Sequence, residues 1–311
     1  MKQMQWGPVR VAREPGYGFL RLHPVPDEKR LQRFYESKYY EIIRSGKRGQ
    51  DLKRLMEGGP AARMERGWLE KTLYADVRSV LEGAIPARKG RRRRVMDIGC
   101  GTGDFLEFMR KTGWSVSGVD LSPAAARAAR RKGIEVMSQP LEELLRSGRV
   151  RKGSYEAVTL FHVLEHLPKP VEFLRMARHL LSPGGVLVVQ VPNDFNRFQL
   201  SVTNGSKAKP WWVVSPDHIN YFSFSSLRAL FRRIGLQTAR EQGDFPMELF
   251  LLLGEEFNYV GRPEIGRRCH EGRIRFDTTV PEDLRRPLYE SLARLGLGRN
   301  CLIFGRKGNS G

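Results

Sequence analysis

The sequence is poor in cysteine and has no long apolar run. Its three cysteines, Cys100, Cys269 and Cys301, are an odd number and form no CxxC pair. We therefore expect no disulfide framework and no cysteine-based zinc site, which indicates a reducing compartment. No apolar segment approaches the roughly 18 residues that span a bilayer, and residues 1–16 lack the hydrophobic region of a secretory signal. A cytoplasmic protein without a membrane partner is expected.

Acidic residues are also scarce, because 34 Asp and Glu stand against 54 Lys and Arg, for a net charge of +20. Residues 1–94 carry much of the excess, with 23 basic and 11 acidic side chains. Clustered basic residues attract phosphates. A run such as Arg91–Arg94 before a strand is nevertheless typical of a solvated loop. The charge alone favours a solvated surface, with nucleic acid as the alternative partner.

Apolar periodicity predicts an α/β fold. Leu31, Phe34, Tyr35 and Ile42 fit a helix that starts near Pro24, and residues 64–81 fit a second amphipathic helix. From Arg94 onward, short β-branched strands alternate with helices, which is the signature of βαβ units. We expect a Rossmann-like, seven-stranded, mostly parallel sheet flanked by helices. The predicted segments are an N-terminal helical cap (1–90), the core (91–244), a helical lid or insertion (245–298), and a final strand with a basic tail (299–311).

A glycine-rich turn follows the first predicted core strand and reads Asp97-Ile98-Gly99-Cys100-Gly101-Thr102-Gly103. Glycine lets a ligand approach the backbone, and the following helix offers its N-terminus to a polar group. The GxGxG spacing departs from the dinucleotide fingerprint, since position 104 is Asp, and this disfavours an NAD dehydrogenase. The next strand ends in Asp120, whose carboxylate can accept both hydroxyls of a ribose. The two features together predict a site for S-adenosylmethionine (SAM).

Four segments resemble, in order and spacing, the core motifs of class I SAM-dependent methyltransferases: DIGCGTGDF, VSGVDLSP, HVLEHLPKP and LSPGGVLVVQVPN. The resemblance implies SAM as cofactor and S-adenosylhomocysteine as product. It implies that Gly99, Gly101 and Gly103 flank the methionine part of SAM, that Asp97 orients the loop and the amino group, and that Asp120 holds the ribose.

One position departs from that family. Its members usually place Asp after the third strand to bind adenine, whereas this chain has Ser138-Gln139-Pro140-Leu141, so Gln139 or main-chain atoms are expected to take that role. Cys100 is interpreted as a small residue that fits a tight turn, not as a nucleophile. The expected cofactor-binding residues are Asp97, Gly99, Cys100, Gly101, Gly103, Asp120, Leu121, Gln139, Leu141, Phe161 and His162.

The outer segments GYGF, PWWV, PDHINYF and DFPMELF resemble a bacterial subgroup found among surface-polysaccharide and secondary-metabolite genes. This implies an O-methyltransferase acting on a sugar or another hydroxylated small molecule, with a nucleotide-linked sugar among the candidates. The basic stretch 267–275 is expected either to meet a phosphate of such an acceptor or to be solvated. Aromatic side chains suit a dry pocket that stacks on sugars. The expected substrate-binding residues are Tyr17, Tyr39, Tyr40, Asn193, Trp211, Trp212 and Tyr221.

A hydroxyl acceptor must lose a proton, and histidine accepts one near neutral pH. The catalytic candidates are His162, His166 and His218, with His162 first. His162, Glu165 and His166 would share a face of a helical turn and form an alternative metal set, to which His218 could add a fourth ligand. This arrangement is similar to the ExxEH element of ubiquinone-pathway O-methyltransferases and plant small-RNA 2′-O-methyltransferases, with His162 in place of the first Glu. We favour the metal-free interpretation, in which Glu165 and His166 orient the turn.

Two other functions stay open at this point. A metal-assisted RNA 2′-O-methyltransferase is motivated by the charge and by the His-x-x-Glu-His spacing. A protein that binds SAM without catalysis is the second alternative.

Overall fold

A computed structural model describes residues 4–6, 9–26, 31, 41, 43, 45, 50–87, 90–205, 210–213, 215, 217–254 and 263–309. The strands are β1 (Met4–Trp6), β2 (Val9–Arg13), β3 (Leu20–His23), β4 (Arg94–Ile98), β5 (Ser115–Val119), β6 (Glu135–Met137), β7 (Tyr155–Phe161), β8 (Leu181–Pro192), β9 (Asn220–Tyr221), β10 (Leu236–Gln242) and β11 (Asn300–Lys307). The helices are α1 (Gln50–Glu57), α2 (Gly59–Lys71), α3 (Leu73–Ala84), α4 (Asp104–Lys111), α5 (Pro123–Arg131), α6 (Leu141–Arg146), α7 (Pro170–Leu180), α8 (Arg197–Gly205), α9 (Phe224–Arg233), α10 (Glu248–Leu252), α11 (Pro263–Thr279) and α12 (Glu282–Arg294).

The chain forms two compact units. The large-sheet unit comprises Leu69–Val191, Arg228–Arg240 and Leu302–Gly311. The small-sheet unit comprises Met1–Trp68, Pro192–Leu227 and Glu241–Cys301. Neither unit is a continuous stretch of sequence.

The seven-stranded sheet has the order β10-β11-β8-β7-β4-β5-β6. β4 pairs in parallel with β5 and with β7, β5 with β6, and β7 with β8. The carboxyl ends of these strands therefore open at one edge of the sheet, where α/β proteins bind their ligands. The predicted α/β fold with a seven-stranded, mostly parallel sheet is confirmed.

The large-sheet unit is built around an apolar core. Val186–Val191 of β8 is buried throughout, as expected for a strand covered on both faces. Helix α3 belongs to this core, because Tyr74, Val77 and Leu81 are buried in the same cluster as Phe105. The predicted cap boundary at residue 90 therefore moves to 68, since the apolar face of α3 packs within the large-sheet unit.

The small-sheet unit contains a four-stranded sheet of order β1-β2-β3-β9 with antiparallel pairs. β1, β2 and β3 thus lie in the segment where a helical cap was predicted. Leu20 and Leu22 of β3 are two residues apart and both pack in a cluster with Val11 and Tyr221, which is the spacing of one face of a strand. The helix predicted from Pro24 falls largely outside the described residues. The described residues within 245–298 include the helices α10, α11 and α12.

Buried charges also hold the small-sheet unit together. The Glu65 carboxylate accepts from Arg54 Nε at 2.8 Å and lies 2.9 Å from His270 Nε2. Arg273 donates to Asp244 Oδ2 at 2.7 Å and places its guanidinium 4.7 Å from the centre of the Trp68 ring. His270 and Arg273 are therefore neither solvated nor available to a phosphate, which corrects the interpretation of the basic stretch at these two positions.

A second set of buried polar contacts lies in the same unit. Asp277 accepts from Trp68 Nε1 at 2.9 Å and from the Tyr289 hydroxyl.

Among the described residues, no helix combines the length and apolar composition needed to cross a bilayer.

Candidate functional site

The glycine loop connects β4 to α4 at the carboxyl edge of the large sheet. Gly99 has φ +77°, and a Cβ added there would lie 2.5 Å from Val163 Cγ2 in the turn after β7. Gly101 has φ +53°, and a Cβ added there would meet nothing within 4 Å. A side chain at Gly99 would collide with a neighbouring strand connection, whereas one at Gly101 would fill open space at the edge of the sheet. Both positions require glycine for its backbone conformation.

The start of α4 carries a buried carboxylate, Asp104, whose contacts the sequence did not predict. Asp104 accepts from Lys132 Nζ at 2.8 Å and from the Thr102 hydroxyl. A Cβ added at Gly103 would lie 2.9 Å from Ala129 Cβ, so α4 and α5 approach closely here. Asp104 stands where a dinucleotide-binding loop has glycine, and that difference was the available signal for its role.

Asp120 follows β5 and braces the glycine loop. Its Oδ2 accepts from the Gly101 N–H at 2.7 Å, and its Oδ1 accepts from the Ser122 N–H at 2.8 Å. Burial raises the pKa of this carboxyl above its ordinary value, while the two backbone donors lower it. Each oxygen keeps a further lone pair with which it can accept from a hydroxyl group.

Asp97 is the penultimate residue of β4 and is buried. Its Oδ1 accepts from Thr159 Oγ1 at 2.6 Å, because Asp97 and Thr159 are direct partners in the pairing of β4 with β7. Burial raises the pKa of Asp97 to about 7, the Thr159 hydrogen bond lowers it, and the nearby Asp120 raises it further. The ends of β4 and β5 therefore place the Asp97 and Asp120 carboxyl groups at the same edge of the sheet.

Other expected cofactor residues occupy different surroundings. Cys100 is buried, and burial raises the pKa of its thiol; a Cβ at Gly118 would lie 2.6 Å from its Sγ, so Cys100 fills the space left by that glycine. Leu121 exposes 63% of its surface, which is unusual for a large apolar side chain. Gln139 accepts from Arg149 at 2.8 Å, whereas Leu141 is buried in α6, so its side chain serves packing.

His162 follows β7 and has φ +55°, a left-handed conformation that is rare for a residue with a side chain. Its N–H donates to the Gln190 carbonyl at 2.9 Å, which fixes the backbone. Its Nδ1 lies 3.2 Å from Glu165 Oε1, and the same oxygen lies 3.9 Å from His166 Nε2. Glu165 is buried, whereas the His162 side chain is 46% exposed. The buried carboxylate thus orients an accessible imidazole.

These groups suit a ligand that carries hydroxyl and amino groups and an exposed aromatic ring. Asp97 and Asp120 supply acceptors, the surface of Leu121 supplies apolar contact, and the space beside Gly101 lets the ligand reach the backbone.

Residues 69–241 match the model of a family described as methyltransferase domain, which is more than half of the chain. The chain belongs to this family.

The methyltransferase is similar to curated ubiquinone biosynthesis O-methyltransferases. That of Xanthomonas oryzae pv. oryzae (strain PXO99A) is 37% identical over 126 residues, which are 39% of this chain and 48% of the relative. That of Bordetella avium (strain 197N) is 31% identical over 161 residues, which are 49% of this chain and 65% of the relative. The chain spans about half to just under two thirds of the length of these relatives.

Two solved structures share the fold of the methyltransferase. A SAM-dependent methyltransferase from Archaeoglobus fulgidus has a TM-score of 0.52 and 20% identity, over 87% of this chain and 100% of that one. The 1,6-didemethyltoxoflavin-N1-methyltransferase of Burkholderia thailandensis, solved with S-adenosylhomocysteine, has a TM-score of 0.51 and 15% identity, over 99% and 100%. The predicted class I SAM-dependent methyltransferase is confirmed in family and fold, and the expected SAM cofactor agrees with these relatives.

The expected acceptor-binding residues of the methyltransferase lie in the small-sheet unit, except that Tyr39 and Tyr40 fall outside the described residues. Asn193 is buried and donates to the carbonyls of Gly296 and Gly298, both at 3.0 Å. Tyr221 donates to the His218 carbonyl at 3.1 Å, which positions the third catalytic candidate. These two side chains therefore have structural contacts of their own.

The remaining aromatic candidates, Tyr17, Trp211 and Trp212, each contact another aromatic ring. Trp211 and Trp212 meet edge to face at 4.8 Å between ring centroids, and Phe195 contacts both Trp212 and Tyr221 at 5.5 Å. Tyr17 lies in the turn between β2 and β3, 6.3 Å from Phe19. Trp211 and Tyr17 are only partly buried, so they keep surface for an acceptor.

Proposed function

We propose that the chain transfers a methyl group from SAM to a hydroxyl of a small-molecule acceptor, a sugar or another hydroxylated natural product. The observation that carries the proposal is the Glu165–His162 pair at the end of β7. β7 is the direct neighbour of β4, and the turn after His162 packs on Gly99. A proton acceptor thus stands beside the loop expected to hold the cofactor.

SAM, when bound, supplies an electrophilic methyl group on a sulfonium. The acceptor oxygen gains a bond to the methyl carbon, the carbon–sulfur bond breaks, and its electron pair stays on sulfur. His162 accepts the hydroxyl proton at Nε2, which makes no hydrogen bond to any residue that the structure describes. Glu165 accepts from the Nδ1–H, which fixes the tautomer and stabilises the imidazolium that forms. Asp97 and Asp120 orient the donor through its amino group and its ribose.

Glu165 has a positioning role in this proposal. Its 3.2 Å contact with His162 suits a carboxylate that orients this imidazole directly, whereas His166 Nε2, at 3.9 Å, lies beyond hydrogen-bond distance. The alternative metal set of His162, Glu165 and His166 makes a different prediction, namely that activity is lost on chelation and returns with a divalent metal. Chelation therefore separates the two interpretations.

The choice of a hydroxyl acceptor is supported by the names of the relatives, which are O-methyltransferases. The acceptor-binding roles of Tyr17, Trp211 and Asn193 are part of the proposal. Partly buried aromatic rings stack well on sugars and on other planar or apolar molecules.

The test measures SAM affinity by calorimetry and the release of S-adenosylhomocysteine with a catechol, a hexopyranoside and a nucleoside as acceptors. Asp120→Ala is expected to weaken SAM binding roughly 100-fold, because it removes a charged acceptor of about 1.5–3 kcal/mol per hydrogen bond and loosens Gly101. His162→Gln is expected to leave SAM affinity within about twofold and to lower turnover by roughly 10²–10⁴.

Asp120→Asn serves as the matched control, since it keeps the shape of the side chain and removes the charge. Unchanged SAM affinity in Asp120→Ala would contradict the ribose assignment. Full turnover in His162→Gln would move the base to His166 or His218.

A further inference from the structure

A cavity of about 430 Å³ opens at the edge of the large sheet opposite the glycine loop. It is lined by Ala87, Gly90, Arg91, Arg92, Arg93 and the segment Thr112–Trp114. The cavity borders the start of β4, and the glycine loop follows the end of that strand. A strand rises about 3.3 Å per residue, so the five residues of β4 separate the two places by roughly 13 Å along the strand. The cavity is therefore distinct from the site described above.

The charges around this cavity are unbalanced. Arg91 and Arg94 both pair with Glu156, at 3.6 and 3.5 Å. Arg93 donates through Nε to the Ile85 carbonyl at 3.0 Å and holds its guanidinium 5.7 Å from the centre of the Trp114 ring. Exposed Arg92 forms no hydrogen bond or ion pair with any residue that the structure describes, and none of the lining residues is acidic.

The arginines that line the cavity are held in place to different extents. The Nε contact and the Trp114 ring hold the Arg93 side chain, which leaves its two terminal nitrogens to donate. In the C-terminal turn of α4, the Met109 carbonyl accepts from the N–H groups of Thr112 and Trp114, and the Arg110 carbonyl accepts from the Gly113 N–H. Gly90 and Gly113 add no side chain, and the space beside them is open, because a Cβ at either position would meet nothing within 4 Å. The space is open, positively charged and partly rigid.

We propose that this cavity binds the phosphate of a phosphorylated small molecule through Arg92 and Arg93. The planar guanidinium donates two parallel hydrogen bonds to phosphate oxygens. A volume of about 430 Å³ lies within the roughly 300–1,000 Å³ range of small-molecule sites. It accommodates a phosphate with an attached sugar or nucleoside. The proposal assigns part of the charge excess of residues 1–94 to a defined site.

The test titrates uridine diphosphate, inorganic phosphate and uridine into the protein by calorimetry, at low salt and with saturating S-adenosylhomocysteine. The S-adenosylhomocysteine occupies the cofactor site, so the probes report on other sites. Uridine diphosphate is expected to bind, inorganic phosphate to bind more weakly, and uridine not to bind. Tighter binding of the diphosphate than of phosphate points to a nucleotide as the source, and equal affinities point to a free phosphate group.

Arg92→Ala is expected to weaken diphosphate binding roughly tenfold, since one charge-assisted contact is lost. Ala87→Glu, which adds a negative charge at the rim, is expected to weaken it at least as much. Arg232→Ala removes the same charge from an exposed position on α9 and is expected to leave the affinity unchanged. SAM affinity stays at the wild-type value in all three variants, so this proposal fails or stands independently of the proposed function.

Absence of diphosphate and phosphate binding would overturn the proposal. So would equal losses in Arg92→Ala and Arg232→Ala, because they would indicate attraction to the overall charge. A labelled 20-nucleotide single-stranded RNA forms the last arm, measured by anisotropy over a salt series. Binding that is much tighter than that of the diphosphate, and that weakens steeply with salt, would assign the cavity to nucleic acid and overturn the small-molecule proposal.

Discussion

The two units bury their side chains in different ways. The large-sheet unit packs apolar residues of α3, α4 and α5 and of several strands into one cluster, which includes Leu106, Trp114 and Phe304. The small-sheet unit has an apolar cluster around Leu22, and it also buries Glu65 in contact with Arg54 and His270. Apolar burial stabilises regardless of partner identity, whereas a buried charge depends on one specific partner. We therefore expect the small-sheet unit to be sensitive to loss of Glu65, because two other side chains depend on its carboxylate.

The largest expected effect comes from removing the central carboxylate of the small-sheet unit. Glu65→Ala leaves Arg54 and His270 buried without their shared acceptor, which costs about 3–5 kcal/mol of unfolding free energy. Amide exchange in α11, which carries His270, is expected to accelerate, while exchange in β4 stays slow.

The matched control is Glu57→Ala, which removes an exposed carboxylate that pairs with Lys53 at 3.7 Å. Its cost is expected to be at most about 0.5 kcal/mol. Equal losses in the two variants would show that the buried contacts of Glu65 contribute no more than an exposed ion pair.

A smaller effect is expected from a buried carboxyl of the large-sheet unit, because burial here favours the protonated, uncharged form of the group. Asp97 has its folded-state pKa raised to about 7, so the folded state holds a proton that the unfolded state releases. Its stabilising contribution is complete below the unfolded pKa and is lost as the pH rises through about 7. The wild-type free energy of unfolding is expected to fall by about 2 kcal/mol between pH 5 and 7 on this account.

Asp97→Asn is expected to flatten that dependence, measured as the difference between wild type and variant in urea unfolding at each pH. Asp283→Asn, at an exposed position on α12, is the control and keeps the wild-type slope. A variant slope identical to that of the wild type would assign the pH dependence to other groups.

The smallest expected effect tests a local feature of the large-sheet unit. Ser122 Oγ accepts from the Ala125 N–H at 3.3 Å and caps α5, with Pro123 in the first turn. Ser122→Ala is expected to cost about 1 kcal/mol. Ser147→Ala, at the C-terminal end of α6, removes a hydroxyl that donates to the Leu144 carbonyl and is expected to cost less. Thermal unfolding of both variants measures the difference, and equal costs would contradict the cap.

The same contrast explains what the sequence could predict. The strands and helices of the large sheet repeat with local periods, so the fold followed from windows of a few residues, as did the positions of Gly99 and Asp120 at strand ends. The Asp97–Thr159 contact joins residues 62 apart through strand register, and the Glu65–His270 contact joins residues 205 apart. No local pattern reports such distances.

Two differences from prediction have a similar origin. The amphipathic pattern of α3 is correct, but periodicity does not identify the unit against which Tyr74 and Leu81 pack. Residues 4–23 have strands of only three to five residues, too short for their alternation to stand out in sequence. The spacing of His162 and Glu165 suggested a helical face, whereas a left-handed His162 brings the two side chains together.

The position of Trp114 has an optical consequence. It is the single tryptophan among the residues of the large-sheet unit, and the other four lie at positions 6, 68, 211 and 212. It is buried, donates to Glu82 at 3.4 Å and lines the cavity beside Arg93. A variant in which Trp114 is the one remaining tryptophan would give a fluorescence spectrum from the large-sheet unit. The emission wavelength and the quenching would follow the unfolding of that unit and the binding of a ligand in the neighbouring cavity.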